Sequence, residues 1–249
     1  MKKLVLSAGA LLMSLPLAAQ KQPQPKSQKE VEAIMAIQNA PDPDSRIAAV
    51  ENLLTKFADT EFKGFALYMA TVSAQQKNDF EKLILYGERT LEADPKNYAT
   101  MLLMSSAIAM RTREHDLDRE EKLSRAEKLA KDAGEALKTA TKPNPQIPDE
   151  QWEAAKKDFQ AQMHEALGIT ASARKKYDEA IQHFKTAVEL NGDLSTMVRL
   201  GSTYNLAQKY DEAIATLDRV LASADAPPQV KQVAQAERER AVKAKGAKN

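Results

Sequence analysis

Lys176-Tyr177-Asp178-Glu179-Ala180-Ile181 recurs as Lys209-Tyr210-Asp211-Glu212-Ala213-Ile214, 33 residues further along the chain. The same offset relates Leu167-Gly168 to Leu200-Gly201, and Val188 to Leu221. A fixed period of this size marks a repeat architecture, in which one supersecondary unit is stacked on the next. A fainter copy lies upstream. There Phe80-Glu81 takes the place of Tyr177-Asp178, followed by Leu83-Ile84, Leu91 and Asp94-Pro95.

Outward from these copies, apolar residues recur at three- and four-residue spacing, and breakers interrupt them at regular intervals. The pattern predicts helices near 28–39, 44–58, 62–76, 78–93, 97–112, 119–140, 149–174, 177–190, 194–207, 210–223 and 227–245. Pro41 and Pro43 separate the first two helices, and Asp94-Pro95 ends the fourth. Pro143, Pro145 and Pro148 form the longest interruption. Asn191-Gly192 suits a left-handed helix stop. Pro227-Pro228 suits a helix start, where the missing N–H costs least. No segment alternates with a period of two, so the expected fold class is all-α. Alanine, leucine, lysine, glutamate and glutamine dominate, and aromatics are 5% of the chain, a composition that favours helix.

The N-terminus reads as an export signal. Lys2-Lys3 precedes an apolar run from Leu4 to Leu15, Pro16 breaks it, and Leu17-Ala18-Ala19 supplies small residues before Gln20. The run is shorter than the roughly 20 residues that span a bilayer. The expected division is a signal peptide at 1–19, a disordered Pro- and Gln-rich linker at 20–29, a helical repeat domain at 30–245 and a tail at 246–249. The expected location is periplasmic or secreted, with no transmembrane segment after signal removal. The chain has no cysteine, which closes lipid anchoring, disulfides and thiolate metal sites. Charge is balanced, with 36 Lys and Arg against 35 Asp and Glu, so nothing draws the whole chain to nucleic acid.

The repeated residues resemble the tetratricopeptide repeat, W-x2-L-G-x2-Y, then A-x3-F, then P. In 194–226 the matching residues are Leu200-Gly201, Tyr204, Tyr210, Ala213 and Leu217. In 161–193 they are Leu167-Gly168, Tyr177, Ala180, Phe184 and Ala187. Phe80, Leu91 and Pro95 match in 64–97. A further unit at 98–141 is stretched by a charged insertion before Ala126, Ala130 and Ala133. Both of the clearer repeats lack the tryptophan, and Ala171 stands where an aromatic is usual. The resemblance implies an α-solenoid of stacked antiparallel helix hairpins in a right-handed superhelix. Gly168 and Gly201 would let the backbones approach where two helices cross. Ala180, Phe184 and Ala187 share one helical face, as do Ala213 and Leu217. The last helix, carrying E-R-E-R and K-A-K stretches, would cap the stack.

The resemblance also implies a concave groove lined by the first helix of each hairpin. In this sequence the stripe includes Tyr68 and Val72, Leu102 and Ser106, Glu165 and Ile169, then Val198, Ser202 and Asn205. Mixed and weakly charged, it suits an extended or helical partner segment with apolar anchors. The lysine and asparagine clamp that some relatives use for carboxylate tails is missing, since Glu165, Ile169, Val198 and Ser202 stand there. The expected role is a non-catalytic scaffold or adaptor for a protein or peptide partner. An accessory envelope enzyme, a glycan-binding protein and a structural subunit of an envelope complex are the competing readings.

Catalytic motifs are absent from the sequence. There is no G-x-S-x-G and no glycine-rich phosphate loop. His164-Glu165 begins like H-E-x-x-H, but Gly168 stands where the second histidine belongs. No cofactor and no metal are expected. The carboxylates alternate with lysines at helical spacing, as in Glu127-Lys128, which describes a solvated face. The segment from Glu237 to Asn249 holds five basic and two acidic residues, and Trp152 opens a long helix. Both are read as structural rather than as lipid, nucleic-acid or sugar contacts.

Overall fold

The computed structural model describes residues 23–247. The proposed signal peptide, the start of the linker and the last two residues lie outside them. The described chain is helical throughout: α1 (Gln28–Gln38), α2 (Pro43–Lys56), α3 (Lys63–Gln76), α4 (Phe80–Ala93), α5 (Tyr98–Arg111), α6 (Arg119–Lys138), α7 (Asp149–Ala173), α8 (Tyr177–Asn191), α9 (Leu194–Leu206), α10 (Tyr210–Ala222) and α11 (Pro228–Gly246).

The starts follow from capping chemistry. Asp42, Asp79, Asn97 and Asp193 each accept the backbone N–H three residues on, which satisfies one of the orphan donors of the first turn. Pro43 and Pro228 occupy first-turn positions. At α1, Ser27 accepts from the Glu30 N–H, and the enclosed Glu30 carboxylate accepts from Thr60 Oγ1 and from the Lys26 N–H, both at 2.6 Å. Lys26 also reaches Asp59. Residues 24–27, read as linker in sequence, are therefore pinned to the α2–α3 loop, and α1 starts at Gln28, inside the 20–29 stretch.

Three hairpins share one turn. Asn78, Lys175 and Gln208 adopt left-handed backbone, with φ of 54°, 62° and 59°. In each, the next residue's N–H returns five residues, as Asp79 to Ala74, Lys176 to Ala171 and Lys209 to Tyr204. The left-handed residue itself bonds back three, as Asn78 to Gln75, Lys175 to Ser172 and Gln208 to Asn205. This is the Schellman pattern, which closes the last carbonyls of the first helix.

Helices pack as successive hairpins, α3 on α4, α5 on α6, α7 on α8 and α9 on α10, with each hairpin against the next. The core is correspondingly a relay. One cluster joins Ile37, Leu53, Leu67 and Tyr86, the next joins Ala74, Leu83, Met104 and Leu123, and the last joins Met197, Leu217, Val220 and Ala234. No single centre exists, because each hairpin buries its apolar face only against its neighbours. α11 docks on α9 and α10 through Ala234 and Ala241, closing the far end. Three of its five basic residues are paired, Arg238 with Asp218, Lys245 with Asp211 and Arg240 with Glu237.

Candidate functional site: a groove between α7, α9 and α11

The crossing residues set where the helices sit. A Cβ built on Gly168 would meet the Phe184 ring at 2.8 Å, and one on Gly201 would meet Leu217 at 2.6 Å. In both hairpins the missing side chain is the room into which the second helix inserts a large one. Ala180 and Ala213 are fully buried, and Tyr177 and Tyr210 are both half-buried at the start of their helices. Tyr204 packs beside Leu200 on the α7–α8 core, where burial raises its phenol.

Among the odd-numbered helices, α5 packs on α7 and α9 packs on α11, whereas α7 and α9 barely touch. A groove of about 490 Å³ opens at that gap. Ile169 and Ser172 form one wall, Val198 and Ser202 the other, Val230 and Val233 the end, with Phe184 at the base. Leu206 and Val233 stand at the rim, 51% and 52% exposed. The one ion pair of this wall joins Arg199 Nε to Glu165 Oε1 at 3.0 Å. Burial raises the Glu165 carboxyl, and the Arg199 guanidinium opposes that rise. The same guanidinium reaches Met110 Sδ on α5 at 3.7 Å, so it spans the inner face from α9 to α5.

The stripe read from sequence is only partly assembled here. Ile169, Val198 and Ser202 line the groove, and Glu165 borders it through Arg199. Tyr68, Val72 and Ser106 lie half-buried on α3 and α5, outside its lining. Leu102 is not available to a ligand. It is 3% exposed, in a cluster with Met101 and Ala133 against which Phe159, from the added N-terminal turns of α7, and Met163 pack. Tyr98 meets Phe159 edge-on at 4.8 Å in the same contact. Asn205 is spent on the cap, donating to the Glu237 carbonyl at 2.9 Å and its carboxylate at 3.1 Å. Trp152 is buried under Lys156. Sequence reasoning missed Leu206, Arg199 and the α11 contribution. Leu206 was findable, four residues after Ser202 on the same face. Val230 and Val233 were not, because the cap expected of α11 does not say which of its residues face α9.

Two histidines meet outside the groove. His164 on α7 and His183 on α8 place their Nδ1 atoms 3.1 Å apart. Burial lowers both rings; for His164 the neighbouring His183 adds to it, and for His183 Lys131 lowers while Glu179 and Glu127 oppose. His115 is exposed on the α5–α6 loop.

The tetratricopeptide repeat family profile matches residues 171–236, from the end of α7 into α11. Those residues carry tetratricopeptide repeats. A thermophilic tetratricopeptide-repeat protein of Thermus thermophilus has a similar structure, with a TM-score of 0.58 at 18% identity over 84% of this chain and 95% of that one. A double mutant of MamA RS-1 is more distantly similar, with a TM-score of 0.45 at 12% identity over 90% of this chain and 98% of that one. The MamA protein gives a TM-score of 0.41 at 19% identity over 74% and 89%. No curated protein matches in sequence. The fold is thus the stacked-hairpin solenoid that the repeated residues implied. Among the described residues no helix is long and apolar enough to cross a membrane.

Proposed function

We propose that this tetratricopeptide-repeat protein is an exported, non-catalytic scaffold that holds a segment of a protein partner in the groove between α7, α9 and α11. The observation that carries this reading is the opening between α7 and α9, walled by Ile169, Val198, Val230 and Val233. Apolar walls with exposed Leu206 and Val233 at the rim favour a ligand contributing apolar side chains, since its gain comes from surface removed from water. Arg199, already paired with Glu165, contributes orientation rather than a free charge. Export rests on Lys2-Lys3, the short apolar run and Ala18-Ala19, and N-terminal sequencing of the mature protein should begin near Gln20.

The test is site-specific photo-crosslinking in the cell of origin, from Ser202 and Leu206 in the groove and from Leu85, an exposed α4 residue outside its lining, as control. The groove positions should yield one discrete adduct that Leu85 does not give, and Val233→Asp should remove it by placing a charge against the ligand. Identical adducts from all three positions, or a groove adduct indifferent to Val233→Asp, would overturn the groove assignment.

A further inference from the structure

The contact between His164 and His183 is unused by the groove, and its geometry is specific. The two Nδ1 atoms are 3.1 Å apart, the ring centroids 5.4 Å, and the ring planes are tilted by 37°. As neutral rings they share one proton, one Nδ1 donating and the other accepting. The same arrangement lies close to what two imidazoles adopt around a metal. With metal–nitrogen bonds of about 2.0–2.1 Å, the two nitrogens stand about 2.9 Å apart at a right angle and about 3.3 Å apart at a tetrahedral one. The observed separation falls between these limits, so loading requires the donating ring to carry its proton on Nε2 instead of Nδ1 and the rings to swing by a few tenths of an ångström.

We infer that His164 and His183 form an open, two-point site for an imidazole-seeking divalent metal ion, Zn2+ or Cu2+. The ligands come from adjacent helices of a tightly packed hairpin, so their backbones are held before the ion arrives. A cavity of about 490 Å³ bordered by His164, Met163, Gln160 and Thr186 gives access from the His164 side, while His183 stands outside its lining. Lys131 and Lys138 on α6 are the opposing charges around this cavity, and their ammonium groups are engaged by Glu127 at 2.5 Å and Glu135 at 2.6 Å. Glu179, one turn before His183 on α8, adds negative potential. Among the described residues no group of three His, Cys, Asp or Glu side chains gathers there, so water completes the coordination and the site is of the open kind. Imidazole nitrogen with water suits Zn2+ and Cu2+ better than Mg2+ or Ca2+, which take oxygen ligands. The sequence offered H-E-x-x without its second histidine. The hairpin supplies that histidine from the next helix, 19 residues on.

The test uses the full mature chain without an affinity tag, so that its own three histidines are the only imidazoles. After chelator treatment it is titrated with ZnCl2 by calorimetry. One saturable equivalent is expected. His115→Ala should leave it intact, while His164→Ala and His183→Ala should each weaken it by about 10–100-fold or more, the loss known for even an outer-shell partner. Cu2+ paramagnetic resonance provides a second reading, with splitting from two nitrogens in the wild type and one in His183→Ala. If His183→Ala fails to fold by circular dichroism, the two-nitrogen signal of the wild type and its loss in His164→Asn decide the matter. No saturable Zn2+ binding, undiminished binding in His164→Ala or His183→Ala, or loss in His115→Ala would overturn the site.

Discussion

The α9–α10 and α5–α6 hairpins face the same packing problem with different residues. Gly201 and Ser105 are each the eighth residue of their helix. Gly201 leaves room for Leu217, so the α9–α10 crossing is closed by a large apolar side chain. Ser105 is fully buried at α5–α6 and donates its hydroxyl to the Ala126 carbonyl at 2.7 Å. α3–α4 resembles the second case, with Thr71 and Thr90 hydroxyls 3.3 Å apart and each also donating back along its own helix. The connections differ likewise. α9–α10 turns at Gln208, whereas α5–α6 needs the loop 112–118, in which Asp116 accepts from the Arg113 N–H and pairs with Lys122. The fold thus requires a small residue at the crossing, but not glycine. A hydroxyl is tolerated wherever it finds an acceptor, because an unpaired one would carry a desolvation penalty.

Truncation separates the two kinds of crossing most strongly. Phe184→Ala removes the ring that fills the space at Gly168, and should cost about 3–5 kcal/mol. Ser105→Ala removes one buried hydrogen bond and leaves almost no cavity, and should cost about 0.5–1.5 kcal/mol. Urea unfolding of both variants measures the difference. Equal losses would mean that the apolar and hydroxyl crossings are energetically alike.

The turns come next. Gln208 holds a left-handed conformation that costs a residue with a Cβ about 1–2 kcal/mol. Gln208→Gly should therefore stabilise by about 0.5–1 kcal/mol, after the extra entropy of glycine in the unfolded chain is subtracted. Arg113→Gly, placed in a loop with no left-handed residue, should bring no gain. A drop in the thermal midpoint of Gln208→Gly would break the comparison between the turns.

Acid should act locally, and least. Burial holds His164 and His183 below the ordinary histidine value of 6.5, so both are harder to protonate in the folded chain than in the unfolded one. Their contribution is complete above that value and is lost as pH falls toward the lowered folded values. Hydrogen exchange between pH 7.5 and pH 5, in roughly half-unit steps, should show α7–α8 losing protection before α5–α6, which has no buried histidine. A His164→Gln, His183→Gln double variant should lose that difference.

Much of this was legible in the sequence. Proline and Asn-Gly act locally, so several helix ends followed from single residues. The K-Y-D-E-A-I copies set the register of α7 to α10, and with it Ile169 on one wall of the groove and Val198 and Ser202 on the other. The stripe failed at Leu102, because its equivalence assumes that first helices are of equal length. α7 runs 25 residues, and its added turns bring Phe159 against α5 at Tyr98. The same limit hid the pairing of His164 with His183 and the arrival of Val230 and Val233. These contacts depend on how helices are laid against one another, which spacing within a helix does not encode.

The central claim is that glycine at the crossing exists to admit the partner side chain, and a double-mutant cycle between Gly201 and Leu217 tests it most directly. Gly201→Ala alone adds a methyl that must displace Leu217 and should destabilise by about 1–2 kcal/mol, the overpacking cost less the helical gain of alanine. In a Leu217→Ala background the space is vacant, and the same Gly201→Ala change should become neutral or stabilise by up to about 1 kcal/mol. An equal cost of Gly201→Ala in both backgrounds would contradict the account.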